Sequence, residues 1–532
     1  MERKANKSEN PKSPPNATNI VFFHPDLGIG GAERLIIDAA VGLQNLGHKI
    51  TIFTSYRDTN HCFDEARDGT LDIRVRGGSL IPATILGRFK ILCSILRQLH
   101  LLLAITWSGE LATLKPTAFF IDQLSAGIPF LRWFWEDQKI LFYCHFPDLL
   151  LVQGRKSWYK RIWRIGFDWL EGWGIRGADR VIVNSGFTKG VVENMWEGLG
   201  GGRGVGVVYP CVDTKEHEKF EKDSQKDSKP LWKDKRVLLS INRFERKKDV
   251  GLAIKAFAGL DPEEREGVRL VIAGILRTKP QHLQAATDVE IGGYDPQVRE
   301  NVLYHHSLET LATSLSLTHT TTKNLVSALS IPSSISILFL LSVPSSLKSS
   351  LLNSARLLIY TPSNEHFGIV PLEAMLAGVP VLAANSGGPL ETVLDPATGW
   401  LRDVEKVEQW TDVMKKVLGE MSDEQLRQMG ANGKGRVREE FSETKMARKL
   451  NEEIEDMVKR RRVLATELGD VALSIPILGG CLFTIGAVLR AAYNTKCISM
   501  LEMSLGSLLI SVAFAGIIGI IYKLQTHESA FR

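Results

Sequence analysis

Short apolar runs alternate along this chain with longer amphipathic stretches, the pattern of strands and helices taken in turn. Residues 19–23 form such a run. They are followed by HPDLGIGGAER and an amphipathic stretch to Leu46, with a second run at 50–54, which reads as strand, glycine-rich turn, helix, strand. Further buried-type strands are expected at 139–143 and 180–184, and a strand and turn at 207–213. A second series begins with VLLSIN near residue 236 and continues at 268–273, up to Tyr360, at 379–383 and at 399–401. The reading is α/β, with two Rossmann-like domains. Residues 307–350, rich in Ser and Thr, look less regular than such a half requires, although 337–341 can be a buried strand.

Two stretches carry a different pattern. Residues 80–107 are apolar but interrupted by Arg88, Lys90, Arg97 and His100, which argues against a simple membrane span. Ile85, Phe89, Leu92, Leu96, Leu99 and Leu103 fall at steps of four and three, so a helix there has an apolar stripe, facing either a core or the plane of a membrane. In SWYKRIWRIGFDWLEGW, Trp158, Ile162, Ile165, Trp169 and Trp173 share one helical face, away from Lys160, Arg161 and Arg164. Core packing and a bilayer interface both fit that arrangement.

The tail differs in kind. Residues 471–489 and 503–522 are apolar for 19 and 20 residues without a charge, each long enough to cross a hydrocarbon core. Lys459, Arg460, Arg461 and Arg462 precede the first, which favours a cytosolic start for a two-helix hairpin. In-plane insertion stays open, given Pro476 and the glycines. The expected organisation is a disordered polar tail (1–18), a first domain (19–213), a charged linker (214–235), a second domain (236–440), a closing helix (441–462) and a membrane hairpin (471–522).

Composition changes this picture little. A chain of 532 residues suits two folded domains, and a net charge of +5 without a basic arm is weak support for nucleic acid. Six scattered cysteines (Cys62, Cys93, Cys144, Cys211, Cys481, Cys497) lack metal spacing and suit a reducing compartment, so no disulfide is expected. The first residues have no apolar core for a signal peptide, which predicts a cytosolic catalytic part. The sequons at Asn6 and Asn16 are then read as chance.

Candidate chemistry concentrates in TPSNEHFGIVPLEAMLAGVPV, where Glu365 and Glu373 have seven residues between them. A strand ending near Tyr360, a turn through Pro362 and Asn364, and a helix from about Val370 would put Glu365 ahead of the helix and Glu373 in its first turns. Backbone N–H groups around Phe367, Gly368, Ile369 and Val370, at the positive helix end, would suit an anion such as a diphosphate. A solvated Glu pair at a helix start fits the spacing equally. Arg243 and Lys248, one at a strand end and one entering a helix, can converge on a diphosphate. Gly30 and Gly31 at a helix start let a backbone approach phosphate, but their spacing is not that of a dinucleotide fingerprint. His145 follows a strand, where open sheets place ligands, and Ser185 and Thr188 open a helix as caps or ligand contacts. GLGGGRGVG at 198–206 has no following Gly-Lys-Ser/Thr and reads as a flexible insertion.

The longer segment NEHFGIVPLEAMLAGVPVLAANSGGPLETV resembles the donor-sugar motif of retaining GT-B glycosyltransferases, and is similar to that of the fungal alpha-1,3/1,6-mannosyltransferases of the dolichol-linked oligosaccharide pathway. The likeness runs over roughly residues 19–462. It implies mannose transfer from GDP-mannose to dolichyl-diphosphate-linked chitobiose bearing one mannose, alpha-1,3 then alpha-1,6, on the cytosolic face of the endoplasmic reticulum membrane. Glu365 would address the mannose, Glu373 the ribose, and Arg243 and Lys248 the leaving diphosphate, with His145 near the donor sugar. Gly30, Gly31, His366, Phe367, Gly368, Ile369 and Val370 would complete the donor site. No Asp-x-Asp stands where a metal would be assigned, so neither cofactor nor obligatory ion is expected. A transferase with another donor or lipid acceptor, and a scaffold without chemistry, are the alternatives. Association with other enzymes of the pathway and the oligomeric state stay open.

Overall fold

The computed structural model describes residues 18–59, 62–78, 80–84, 90–151, 158–199, 204–214, 231–232, 234–275, 294, 298–322 and 328–460. The expected tail at 1–18 falls, but for its last residue, outside them, as do most of the linker and the whole hairpin at 471–522.

Two parallel seven-stranded sheets form the frame. The first contains β1 (Asn19–Leu27), β2 (Lys49–Arg57), β3 (Asp72–Val75), β4 (Ala118–Asp122), β5 (Lys139–Cys144), β6 (Arg180–Val183) and β7 (Gly206–Val207), in the order β3-β2-β1-β4-β5-β6-β7. The second contains β8 (Arg236–Ile241), β9 (Val268–Ile275), β10 (His319–Thr322), β11 (Ile337–Val343), β12 (Ala355–Tyr360), β13 (Val381–Ala384) and β14 (Gly399–Arg402), in the order β10-β11-β9-β8-β12-β13-β14. Both are doubly wound. Chain order reverses between β1 and β4 in one sheet and between β8 and β12 in the other, and at such switch points the carboxyl ends of the strands open a crevice for ligands.

Helices cover both faces, which is why the strands read as continuous apolar runs. In β1, Ile20 and Phe22 enter one core and Val21 and Phe23 the other. Phe22 stacks on Phe120 at 4.4 Å between ring centres. The helix Glu443–Lys459 returns to the first sheet, where Met446, Leu450, Ile454 and Met457 join the core of the helix Gly31–Asn45. Gly42 is required there, since a Cβ would lie 2.6 Å from that of Ala447. Arg180 with Glu453 (2.6 Å) and His48 with Asn451 (2.7 Å) fix the same docking.

Residues 148–174 separate from the body that carries both sheets. Most of that segment is the helix Trp158–Arg176, in which Trp169 and Trp173 stack at 5.3 Å.

Several expectations need correction. The first strand does not stop at Phe23 but pairs with β2 as far as Leu27, so His24 lies within it. The helix expected across 80–107 spans Lys90–Trp107, and Ile85 and Phe89 lie outside the described residues. Its buried residues are Cys93, Ile95, Arg97, Gln98, Leu101, Leu102 and Ile105, whereas Leu92, Leu96, Leu99 and Leu103 are half-buried. It is long and apolar enough to cross a membrane by length and composition, yet one face packs in the first core, with Arg97 paired to Asp26 (3.0 Å). Among its described residues the Ser/Thr-rich stretch supplies β10, β11 and most of the helix Ser345–Ser354, with 323–327 outside them. The last glycine of 198–206 belongs to β7, not to an insertion.

Candidate active site

The second switch point gathers the charged residues. The 3-10 turn Arg246–Lys248 follows β8, and the turn 361–368 follows β12. Thr361 Oγ1 donates to the Lys248 carbonyl (2.7 Å), tying the two loops together. In the second loop Asn364 and Gly368 adopt left-handed φ values of 52° and 83°, which turn the chain into the helix Ile369–Leu376. The Gly387–Gly388 loop packs against the turn. The Gly388 N–H donates to the Glu365 carbonyl (2.7 Å), and a Cβ on Gly387 would sit 2.5 Å from that oxygen.

Lys248 Nζ donates directly to Glu365 Oε2, and the lysine is 8% exposed. Burial would raise the Glu365 carboxyl, but the Lys248 charge and hydrogen bond outweigh it, so it is held below the usual carboxylate range. Arg243, whose guanidinium pairs with Glu245 (3.0 Å), acts on Glu365 in the same direction. Glu373 sits in the second turn of the helix. Its Oε1 accepts from Lys348 Nζ (2.7 Å), while its Oε2 is buried without a hydrogen-bond partner among the described residues. Lys348 is a residue that sequence reasoning missed, since nothing local ties it to an acid 25 positions away.

At the first switch point, His145 follows β5 and its Nε2 meets Asp122 Oδ2 at 3.1 Å. The same carboxylate receives His24 Nδ1 at 2.9 and 3.0 Å. Burial alone would lower His24, but the Asp122 carboxylate overcomes it and raises the imidazole from 6.5 to about 9. His24 is thus an imidazolium at neutral pH and Asp122, held low by it, an anion. Because the folded value lies above the unfolded one, this contribution is complete below pH 6.5 and is lost as pH rises through 9. The rise from 6.5 to about 9 corresponds to roughly 3 kcal/mol. Unfolding of the protein should therefore become easier from pH 7 to pH 10, and a His24→Phe variant should lose that slope. An unchanged slope would place the charge elsewhere.

The lobes meet around the Glu365 loop. The Phe146 ring stacks on His366 at 3.7 Å and 5°, and Ser185 Oγ donates to the His366 carbonyl while accepting from the Thr188 N–H at 3.0 Å. Ser185 is therefore both a cap and a contact. The Glu391 carboxylate, also unforeseen, accepts from the Gly186 and Phe187 N–H groups at 2.7 and 2.8 Å, closing the helix Gly186–Met195 from the opposite lobe. Phe367 is buried against Tyr209 and Phe441, so its ring belongs to packing. Gly30 and Gly31 open the helix Gly31–Asn45, with the Glu33 carboxylate folded over Gly30. Among the described residues no group of three or more His, Cys, Asp or Glu could hold a metal.

Comparison with known proteins gives this geometry a family. The pattern described as Glycosyltransferase Family 4 matches residues 29–216, and that described as Glycosyl transferases group 1 matches 221–436. The chain is 54% identical over 483 residues to the alpha-1,3/1,6-mannosyltransferase alg-2 of Neurospora crassa, covering 89% of this chain and 97% of that protein. The corresponding proteins of Schizosaccharomyces pombe and Saccharomyces cerevisiae are 39% and 41% identical, the former covered to 97% on both sides and the latter over 86% of this chain and 89% of its own. The chain belongs to the alpha-1,3/1,6-mannosyltransferase family. Among solved structures, a sucrose-phosphate synthase from Thermosynechococcus elongatus superposes with a TM-score of 0.59 at 17% identity, covering 83% of this chain and 99% of that one. Anabaena HepE in complex with UDP and glucose gives 0.54 at 16%, over 82% and 100%. These two show the fold, which is GT-B. The mannosyltransferase is thus a glycosyltransferase whose charged residues lie at two facing switch points, cations and acids on the second sheet and a His–Asp–His chain on the first.

Proposed function

We propose that this mannosyltransferase moves mannose from GDP-mannose to dolichyl-diphosphate-linked chitobiose bearing one mannose, adding an alpha-1,3 and then an alpha-1,6 mannose in lipid-linked oligosaccharide synthesis. The observation that carries the reading is the buried Lys248–Glu365 pair at the second switch point. A cation and a carboxylate that neutralise each other can exchange that contact for the departing diphosphate and the sugar. In a transfer that retains the anomeric configuration, leaving and attacking groups share one face, and the protein supplies position and charge. Lys248 and Arg243 take the charge of the diphosphate, Glu365 orients the mannose, and the unpaired Oε2 of Glu373 accepts from ribose hydroxyls. Backbone N–H groups from His366 to Val370, with Gly30 and Gly31 opposite, surround the diphosphate. His145 faces the sugars from the other lobe. The work is done at the cytosolic face of the endoplasmic reticulum, with 471–522 as the anchor.

The deciding assay offers GDP-mannose or UDP-linked sugars with defined lipid acceptors. GDP-mannose alone should yield two successive additions. Transfer from a UDP-sugar at a comparable rate would assign the site to another donor, and a folded protein that binds no sugar nucleotide by calorimetry would be a scaffold.

A further inference from the structure

We propose that Asp122 and His24 are positioning residues that fix the ring of His145, so that its Nδ1 is the nitrogen offered to a sugar hydroxyl in the cleft. The inference rests on the reading of His145 as a group that works on the sugars, and it adds two residues that no comparison assigns. Asp122 ends β4 and is fully buried, with His24 of β1 on one side and His145 after β5 on the other. These are the strands of the switch point, in the order β1-β4-β5.

The chemistry of the chain follows from what each group can donate. An ionised carboxylate only accepts, so both imidazole nitrogens that touch it carry hydrogen. For His145 that nitrogen is Nε2, and in the neutral ring Nδ1 is left with a lone pair. A sugar hydroxyl can then donate to Nδ1. What keeps Asp122 ionised in a buried position is His24, which has no second use: its Nε2 is buried and has no hydrogen-bond partner among the described residues. Asp26, paired with Arg97, and Glu33 add negative charge near His24, which reinforces its proton. A purely structural role explains this poorly, because a buried ion pair is rarely more stabilising than apolar side chains of the same volume. The arrangement makes sense where one end of it reaches a surface, and His145, with its side chain 23% exposed, is that end. The Asn184 side chain and the Tyr143 ring complete the setting, the former donating to the His145 carbonyl (2.9 Å) and the latter 5.0 Å away.

The test uses the full chain with GDP-mannose and its lipid acceptor. His145→Gln, Asp122→Asn and the double variant are compared by kcat and donor KM, with calorimetry of GDP as the check on folding. Asp122→Asn should lower kcat by about tenfold to a hundredfold, the worth of one charge-assisted hydrogen bond, and leave KM for GDP-mannose within about twofold. In the His145→Gln background the same change should cost almost nothing, because the residue it positions is gone. If His145→Gln alone keeps full activity, the reading of His145 fails. If it is inactive while Asp122→Asn matches the wild type, or if the two losses multiply, the positioning proposal fails and that of His145 stands. Should Asp122→Asn not fold, 15N spectra of histidine-labelled wild-type protein decide, with the His145 signal assigned by its loss in His145→Gln. A protonated Nε2 beside an unprotonated Nδ1 in the neutral ring is expected, and the opposite tautomer overturns the proposal.

Discussion

Lys248→Ala should slow mannosyl transfer by about one to two orders of magnitude, since a charge-assisted contact to a diphosphate is worth roughly 1.5 to 3 kcal/mol. The ammonium is buried against Glu365, so its removal also strands a carboxylate that it holds below the ordinary range. That carboxyl would then move upward, so the loss of stability on acidification that the depressed Glu365 gives the wild type should be absent or reversed in the variant. Two losses are therefore combined in one substitution. Pairing Lys248→Ala with Glu365→Gln separates them: stability should recover, because no unpaired charge is left, while the rate stays low. Arg243→Ala should add to the loss in rate with a smaller effect on folding, as its side chain is 29% exposed and held by Glu245. A Lys248→Ala enzyme with wild-type kcat would remove both cations from the diphosphate site.

The same pair shows what could be read from the chain and what could not. Strands buried on both faces announce themselves as apolar runs, so β5, β6, β8, β9 and β13 stood out, and the Glu365–Glu373 spacing placed one acid before a helix and the other inside it. The polar end of β1 did not. His24-Pro25-Asp26 looks like a loop because strands at a switch point end in polar residues that face the cleft, although Asp26 still pairs with Tyr56 of β2. AFFID at β4 carried the matching signal, an acid closing an apolar run, and it was open to the reasoning that selected His145. Arg97 misled in the other direction. A charge in an apolar stretch looks like an interruption, yet it lies on the buried face of the helix Lys90–Trp107, held by Asp26, and its rejection shifted the inferred stripe by a few positions. Lys348 and Glu391 had no local signature at all, because each meets its partner only through the tertiary fold.

The two acids should separate in kinetics. Glu373→Gln is expected mainly to raise the donor KM, because the ribose contact proposed for it would be equally strong in the ground state and the transition state. Each substitution also costs an ion pair, Lys248 losing its buried partner in Glu365→Gln and Lys348 a 2.7 Å contact in Glu373→Gln. The Lys348 side chain is only 19% exposed, so Lys348→Met should raise KM as well, by leaving the Glu373 carboxylate free to rotate away from the ribose. Glu365→Gln is expected to act on kcat instead. Its carboxylate stands beside Lys248 at the switch point. In the proposed mechanism charge develops there as the glycosidic bond breaks, and an interaction that grows along the reaction is lost from the rate and not from binding. A loss of about a hundredfold in kcat, with KM within about threefold, is the expected size for one such contact. Should Glu365→Gln raise KM with kcat intact while Glu373→Gln lowers kcat, the roles are exchanged, and the turn 361–368 presents the sugar to the helix and not to the loop.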